Sequence, residues 1–212
     1  MKKLILLLFA FCVTAHTYSQ NTEERKKESL IITVTPRFGF NAGADYSITN
    51  NYTALDTFAI YPSTIHNGPG ARMGMFGELK IQQRFTLSFK SELSYSSATI
   101  MQDSTTYNLN PINLDFMLHG KFNFRKRGAK VNPYTYFGPA LRTPINGQSQ
   151  DNFETKRSWS GDIAFGLDID LGSLYISPEI RYSRGLSNIK KEETWEKLRS
   201  SYVAFVLNFT LK

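Results

Sequence analysis

From Leu30 onward, apolar residues recur at every second position in runs broken by polar segments, and stripes of period 3.6 are scarce. Successive side chains of a strand point to opposite faces, so this alternation reads as an all-β chain. The clearest run is Trp159 to Leu171. Trp159, Ile163, Phe165, Leu167, Ile169 and Leu171 share one face with Gly161, and Ser160, Asp162, Ala164, Gly166, Asp168 and Asp170 share the other. The next run sets Leu174, Ile176, Pro178, Ile180, Tyr182 and Leu186 against Tyr175, Ser177, Glu179, Arg181, Ser183 and Gly185, with Arg184 the one break in the greasy face. The last sets Val203, Phe205, Leu207, Phe209 and Leu211 against Tyr202, Ala204, Val206, Asn208 and Thr210. Earlier apolar faces are Ile32, Val34, Phe38, Phe40 and Ala42; Met73, Met75, Leu79 and Ile81; Phe85, Leu87, Phe89, Leu93 and Tyr95; and Ile112, Leu114, Phe116, Leu118, Phe122 and Phe124. Pro133 to Arg142 completes a set of eight, with its facing open. Each run has about the 9 to 11 residues that a tilted membrane strand needs.

The links between these runs alternate in length. Ser47 to Gly68, Ser97 to Asn110, Thr143 to Ser158 and Ser187 to Ser200 are long, whereas Gln82 to Arg84, Arg125 to Asn132 and Gly172–Ser173 are short. With both termini on the short side, this is the layout of an eight-stranded, antiparallel, up-and-down transmembrane β-barrel with short periplasmic turns and longer extracellular loops. Closure also satisfies every backbone group within lipid.

Alternation alone leaves open a soluble, lipocalin-like ligand carrier, whose apolar face would point inward. Three features favour lipid. The polar face is rich in Gly, Ala and Ser with mixed charge, which suits a narrow lumen. Aromatic residues gather near strand ends, with Phe85, Phe122, Phe124 and Phe209 toward the periplasm and Phe40, Tyr95, Trp159 and Tyr182 toward the outside. The first strand lacks a Gly-x-Trp. Composition agrees: 212 residues, 41% hydrophobic, with 16 Phe and 11 Tyr, describe a folded, aromatic-rich β-protein.

Turned inward, Arg37, Arg72, Lys80, Lys90, Lys121 and Arg181 face Asp45, Glu78, Glu92, Asp115, Asp162, Asp168 and Glu179, with His119 among them. Unpaired charge in a confined lumen is unfavourable by several kcal/mol, so these residues are expected to form a luminal polar network that plugs the barrel and fixes its register. A proton or ion path is the sharper alternative.

Lys2 and Lys3, the apolar stretch Leu4 to Val13 and the polar Thr14 to Gln20 form the three-part pattern of a signal peptide, placed at 1–19. A periplasmic segment (20–29) and the barrel (30–212) follow. Ten apolar residues rise only about 15 Å as a helix, too short for a spanning anchor. Cys12, in that leader, is the sole cysteine, which excludes a mature disulfide, thiolate nucleophile or cysteine-ligated metal. Without Lys2 and Lys3 the net charge falls from +7 to +5. For an exported chain, that mild excess suits outer-membrane lipids and lipopolysaccharide rather than nucleic acid.

Several stretches together resemble the PorT-like outer-membrane β-barrel domain of Gram-negative bacteria, over about Thr35 to Lys212. They include Gly70-Ala71-Arg72-Met73-Gly74-Met75-Phe76-Gly77-Glu78-Leu79, Ser91-Glu92-Leu93-Ser94-Tyr95-Ser96 and Asn113-Leu114-Asp115-Phe116. Asn132-Pro133-Tyr134-Thr135-Tyr136-Phe137-Gly138-Pro139-Ala140, Gly161-Asp162-Ile163-Ala164-Phe165-Gly166 and Arg181 to Ile189 complete the set. The resemblance implies an eight-stranded outer-membrane barrel, and its namesake serves type IX protein secretion. It brings no catalytic or ligand residues. Secretion or envelope proteins are the partners it implies. One departure is the end of the chain, Phe209-Thr210-Leu211-Lys212, where such barrels often finish on an aromatic residue.

Candidate chemistry is sparse. His66 and His119 do not have metal-ligand spacing, and neither a phosphate-binding loop nor a G-x-S-x-G elbow occurs. No catalytic residue, cofactor or metal is therefore expected. The enzyme worth weighing modifies lipid A, using His66 with Ser63 and Asp56 in the first outer loop. In the loop Ser187 to Ser200, Trp195 among charges is a candidate extracellular contact. The expectation is a monomeric, non-enzymatic outer-membrane barrel, structural or accessory, with a narrow passive channel for small solutes as the alternative.

Overall fold

A computed structural model describes residues 35–53, 64–81, 84–102, 105–109, 112–125, 129–145, 155–189 and 196–211. The proposed signal peptide, the 20–29 segment, Ile32, Val34 and Trp195 lie outside them. Eleven strands occur among the described residues: β1 (Thr35–Thr53), β2 (Thr64–His66), β3 (Pro69–Lys80), β4 (Phe85–Ser96), β5 (Thr99–Gln102), β6 (Thr105–Asn108), β7 (Ile112–Asn123), β8 (Val131–Pro144), β9 (Ser158–Asp170), β10 (Leu174–Gly185) and β11 (Glu196–Leu211). Eight of them close a barrel of wholly antiparallel pairs, in the order β1-β3-β4-β7-β8-β9-β10-β11, with β11 returning to β1.

Following paired residues once around the wall from Pro36 leads through Leu79, Leu87, Gly120, Phe137, Ile163, Tyr182 and Val203 to Tyr46, ten positions farther along β1. A stagger of this kind goes with strands tilted by about 40°. The period-two pattern sets the facing. Phe38, Met75, Phe89, Phe165, Phe205 and Ile180 are exposed on the outer wall, while Lys90, Glu92, Asp162, Arg181 and Val206 are buried within it. The apolar face therefore looks outward, the opposite of a ligand carrier.

Two expectations need correction, and one facing that the sequence left open is decided. Phe40 does not join the outer girdle. It pairs with Phe209, their ring centroids 5.2 Å apart, on the periplasmic half, and Tyr46 holds the outer position on β1. The facing of Pro133 to Arg142 is now fixed, with Tyr134, Tyr136, Ala140 and Arg142 inward and Phe137, Pro139 and Leu141 outward. The long outer links are also shorter than expected, because β1 runs on to Thr53 and β11 starts at Glu196. Their residues form a second sheet, β2-β5-β6.

Ala98, Ile100, Leu109, Ile189 and Leu198 make a small buried core there, with Ile65 and Tyr107 packed against it. Three outer connections thus share one core, and the fourth joins through the Lys156 amide, which donates to the Ile189 carbonyl at 2.8 Å. Ile100→Ala should leave a cavity worth about 2–4 kcal/mol to this cap alone. The expected readout is faster protease cleavage of the outer loops in membrane vesicles with barrel strands still protected. Equal cleavage rates would count against a loop core.

The periplasmic side is tighter. Between β9 and β10, Gly172 has φ of +93° at the first central position of a two-residue hairpin, where a type II′ turn calls for glycine.

Candidate functional site

The lumen is the site the sequence singled out, and charged and polar side chains from all eight barrel strands meet in it. Arg181 on β10 lies at its centre. Its guanidinium donates to both Glu92 carboxylate oxygens at 2.8 and 2.9 Å, to Glu179 Oε1 at 2.9 Å and to the Tyr136 hydroxyl at 2.6 Å. Arg181 and Glu92 are 0% exposed, so neither charge has water to fall back on. Glu92 also accepts from Arg72 at 2.9 Å and from the Asn41 amide at 2.8 Å. Glu179 accepts from Lys90 at 3.0 Å, from Tyr136 at 2.6 Å and from Tyr134 at 3.0 Å. Each buried carboxylate is thereby met by several charge-assisted donors, the condition under which buried charge is tolerated.

Toward the outside, Arg72 bridges Glu92 and Asp45. Arg142 holds Asp115 through two hydrogen bonds, at 2.9 and 3.1 Å. The Tyr202 ring lies between the two arginines, 4.2 Å from Arg72 and 4.6 Å from Arg142. Toward the periplasm, Lys121 pairs with Glu78 at 3.1 Å and Asp168 at 3.0 Å while its ammonium rests 4.0 Å over Tyr134. His119 stands 3.1 Å from Asp162 and stacks on Tyr136 at 4.3 Å. Asp162 further accepts from Ser183 at 2.5 Å. At the periplasmic mouth, Arg37 and Lys80 both lie over the Tyr175 ring, at 4.4 and 5.8 Å.

The structure therefore brings Arg72, Glu78, Lys90, Glu92, Asp115, His119, Asp162, Asp168, Glu179 and Arg181 into contacts that run the length of the lumen, and leaves Arg37 at its mouth. Sequence reading missed Arg142, Tyr134 and Tyr136, and put Tyr202 on the inward face without giving it a role. The first three sit on the strand whose facing stayed open, and the parity of Arg142 with the two tyrosines was the available signal. With Arg142, seven luminal cations face seven acids. Within this packing remains a cavity of about 10 Å³, between Phe76, Lys90, Tyr134 and Glu179 among others, enough for roughly one water.

His66 ends β2, exposed and paired with Thr99. Asp56 and Ser63, its companions in the enzyme reading, lie outside the described residues.

A closed, tilted, antiparallel barrel with a greasy wall and a polar interior is an outer-membrane β-barrel. No protein-family model matches the chain, and no curated protein matches it. Among solved structures it is similar to the outer membrane protein OprG of Pseudomonas aeruginosa, with a TM-score of 0.54 at 9% identity over 84% of this chain and 96% of that one. Neisserial surface protein A follows at a TM-score of 0.47 and 12% identity, over 82% and 96%. The outer membrane enzyme PagL stands at 0.43 and 10%, over 84% and 99%. At such identities the likeness to OprG is one of fold. Together with the outward apolar band, it sets the address of this chain at the outer membrane.

Proposed function

We propose that the protein is a monomeric, non-enzymatic barrel that serves as a structural or accessory part of the envelope, linked to type IX protein secretion. The luminal network carries this reading. Its ion pairs join strands across the barrel and leave room for about one water, so the interior supports rigidity rather than traffic. The outer connections, gathered on their own core, offer a shaped surface to secretion or envelope proteins. The PorT-like resemblance supplies the link to secretion. Proteomics of medium and periplasm from a deletion strain and its complemented parent tests it. Proteins bearing type IX sorting domains should leave the medium and accumulate in the periplasm, and unchanged export would sink that link.

The charge-lined interior gives a specific reason to weigh a second reading, a narrow passive channel. In planar bilayers the plugged barrel should show negligible conductance, whereas steady single-channel steps would favour the channel. For a non-enzymatic barrel, His66→Ala should leave lipid A mass spectra unchanged.

A further inference from the structure

On β10 a charged side chain breaks the apolar outer face. Arg184 on β10 is exposed two residues beyond Tyr182, directly opposite Gly161 on β9. Gly161 adds no side chain beside it, since a Cβ there would meet only Leu186, at 3.7 Å. Two residues farther along β9, Trp159 is also exposed, and its carbonyl accepts from the Leu186 amide at 2.8 Å. Arg184 therefore sits level with the outer aromatic girdle, at the long-loop end of the barrel. A cation is unfavourable in hydrocarbon and becomes tolerable at this depth, where lipid headgroups begin.

Charge is sorted across the wall. The acids Asp45, Glu78, Glu92, Asp115, Asp162, Asp168 and Glu179 all serve the lumen, and Asp170 caps the periplasmic hairpin through the Gly172 amide. Among the described side chains, none of the acids lies in the outer band. Lys156 and Arg157, both exposed, precede β9 on the same seam, held there by the hydrogen bond from Lys156 to Ile189.

We propose that Arg184, Arg157 and Lys156 bind the phosphorylated headgroup of an outer-leaflet glycolipid, with Trp159 and Leu186 against its apolar part. Arg157 lies just before the start of β9, four positions ahead of Gly161, and so falls on the loop side of the level of Arg184. Two separate cationic points, one within the girdle and one at its loop side, suit a headgroup with two phosphates. Guanidinium groups match phosphate oxygens in pairs, which a lysine in the same place does less well.

The inference rests on the outer wall being embedded in lipid, and the experiment separates the two. The full chain is refolded into vesicles, extracted in mild detergent and offered bisphosphorylated lipid A, monophosphorylated lipid A and phosphatidylglycerol in equal amounts. Retained lipid is read by native mass spectrometry. Wild type should retain the bisphosphorylated form preferentially. Arg184→Gln with Arg157→Gln should lower that retention about tenfold, and Arg184→Lys should fall between. Arg157→Gln alone, outside the barrel strands, should show part of the loss in a barrel of unchanged fold. Insertion without preference among the three lipids, or wild-type retention by the double variant, would overturn the site and turn attention to an acidic protein surface as its occupant. Failure to insert would overturn the membrane reading as well.

Discussion

Arg181→Leu is expected to lower the unfolding free energy of the barrel by about 3 kcal/mol or more, measured by urea unfolding in lipid vesicles. The size follows from what remains. Removing the guanidinium takes two donors from Glu92 and two from Glu179, both buried, and strips the Tyr136 hydroxyl of the group that donates to it. Arg72, Asn41 and Lys90 hold the two carboxylates only in part. An unmatched buried charge weakens the fold more than the pair strengthened it, so the neutral double variant Glu179→Gln/Arg181→Leu should be destabilised by less than the sum of the single losses. A coupling of about 1–3 kcal/mol is expected from residues this close. Additive losses would mean that the contact stabilises nothing, and the plug would no longer explain the lumen.

The barrel itself was legible because one physical rule, period-two alternation against lipid, acts on every strand. Runs such as Trp159 to Leu171 carry it without interruption. β8 was not legible, because tyrosine suits either side of the wall: Phe137 faces lipid, whereas Tyr136 turns inward so that its hydroxyl reaches Glu179. Once the two tyrosines are placed inside, Arg142 follows by parity and meets Asp115. The outer cap was illegible for a different reason. Leu109, Ile189 and Leu198 are single apolar residues in polar surroundings and Ile100 belongs to no long alternating run, so only tertiary contact among three connections makes them a core. Phe40 shows a limit of another kind. Its place along the wall depends on the stagger of the strands, which no single run reveals.

Glycine usage on the two faces of the wall leads to the sharpest contrast in expected outcome. Gly138 on β8 lies inside, where a Cβ would fall 2.0 Å from the Leu118 carbonyl oxygen and 3.0 Å from the His119 ring. Two of its three nearest neighbours, the closest among them, are backbone atoms of β7, which can move only by breaking the sheet, so swinging the His119 ring aside would not relieve the clash. The missing Cβ also gives His119 the space to lie flat on Tyr136. Gly138→Ala should therefore destabilise the barrel by about 3 kcal/mol, at the upper end of overpacking effects, and Gly138→Val should prevent closure altogether. Gly161 on β9 lies on the outer wall, where an added methyl meets only Leu186 at ordinary contact distance. Gly161→Ala should be neutral or stabilising by about 0.4–1 kcal/mol, since it removes freedom from the unfolded chain. Heat-modifiable gel migration after refolding, followed by urea titration of the variants that fold, reads both. If Gly138→Ala folds with wild-type stability, or Gly161→Ala fails where Gly138→Ala succeeds, then the inward and outward assignments of β8 and β9 are reversed, and the luminal network built on them falls with it.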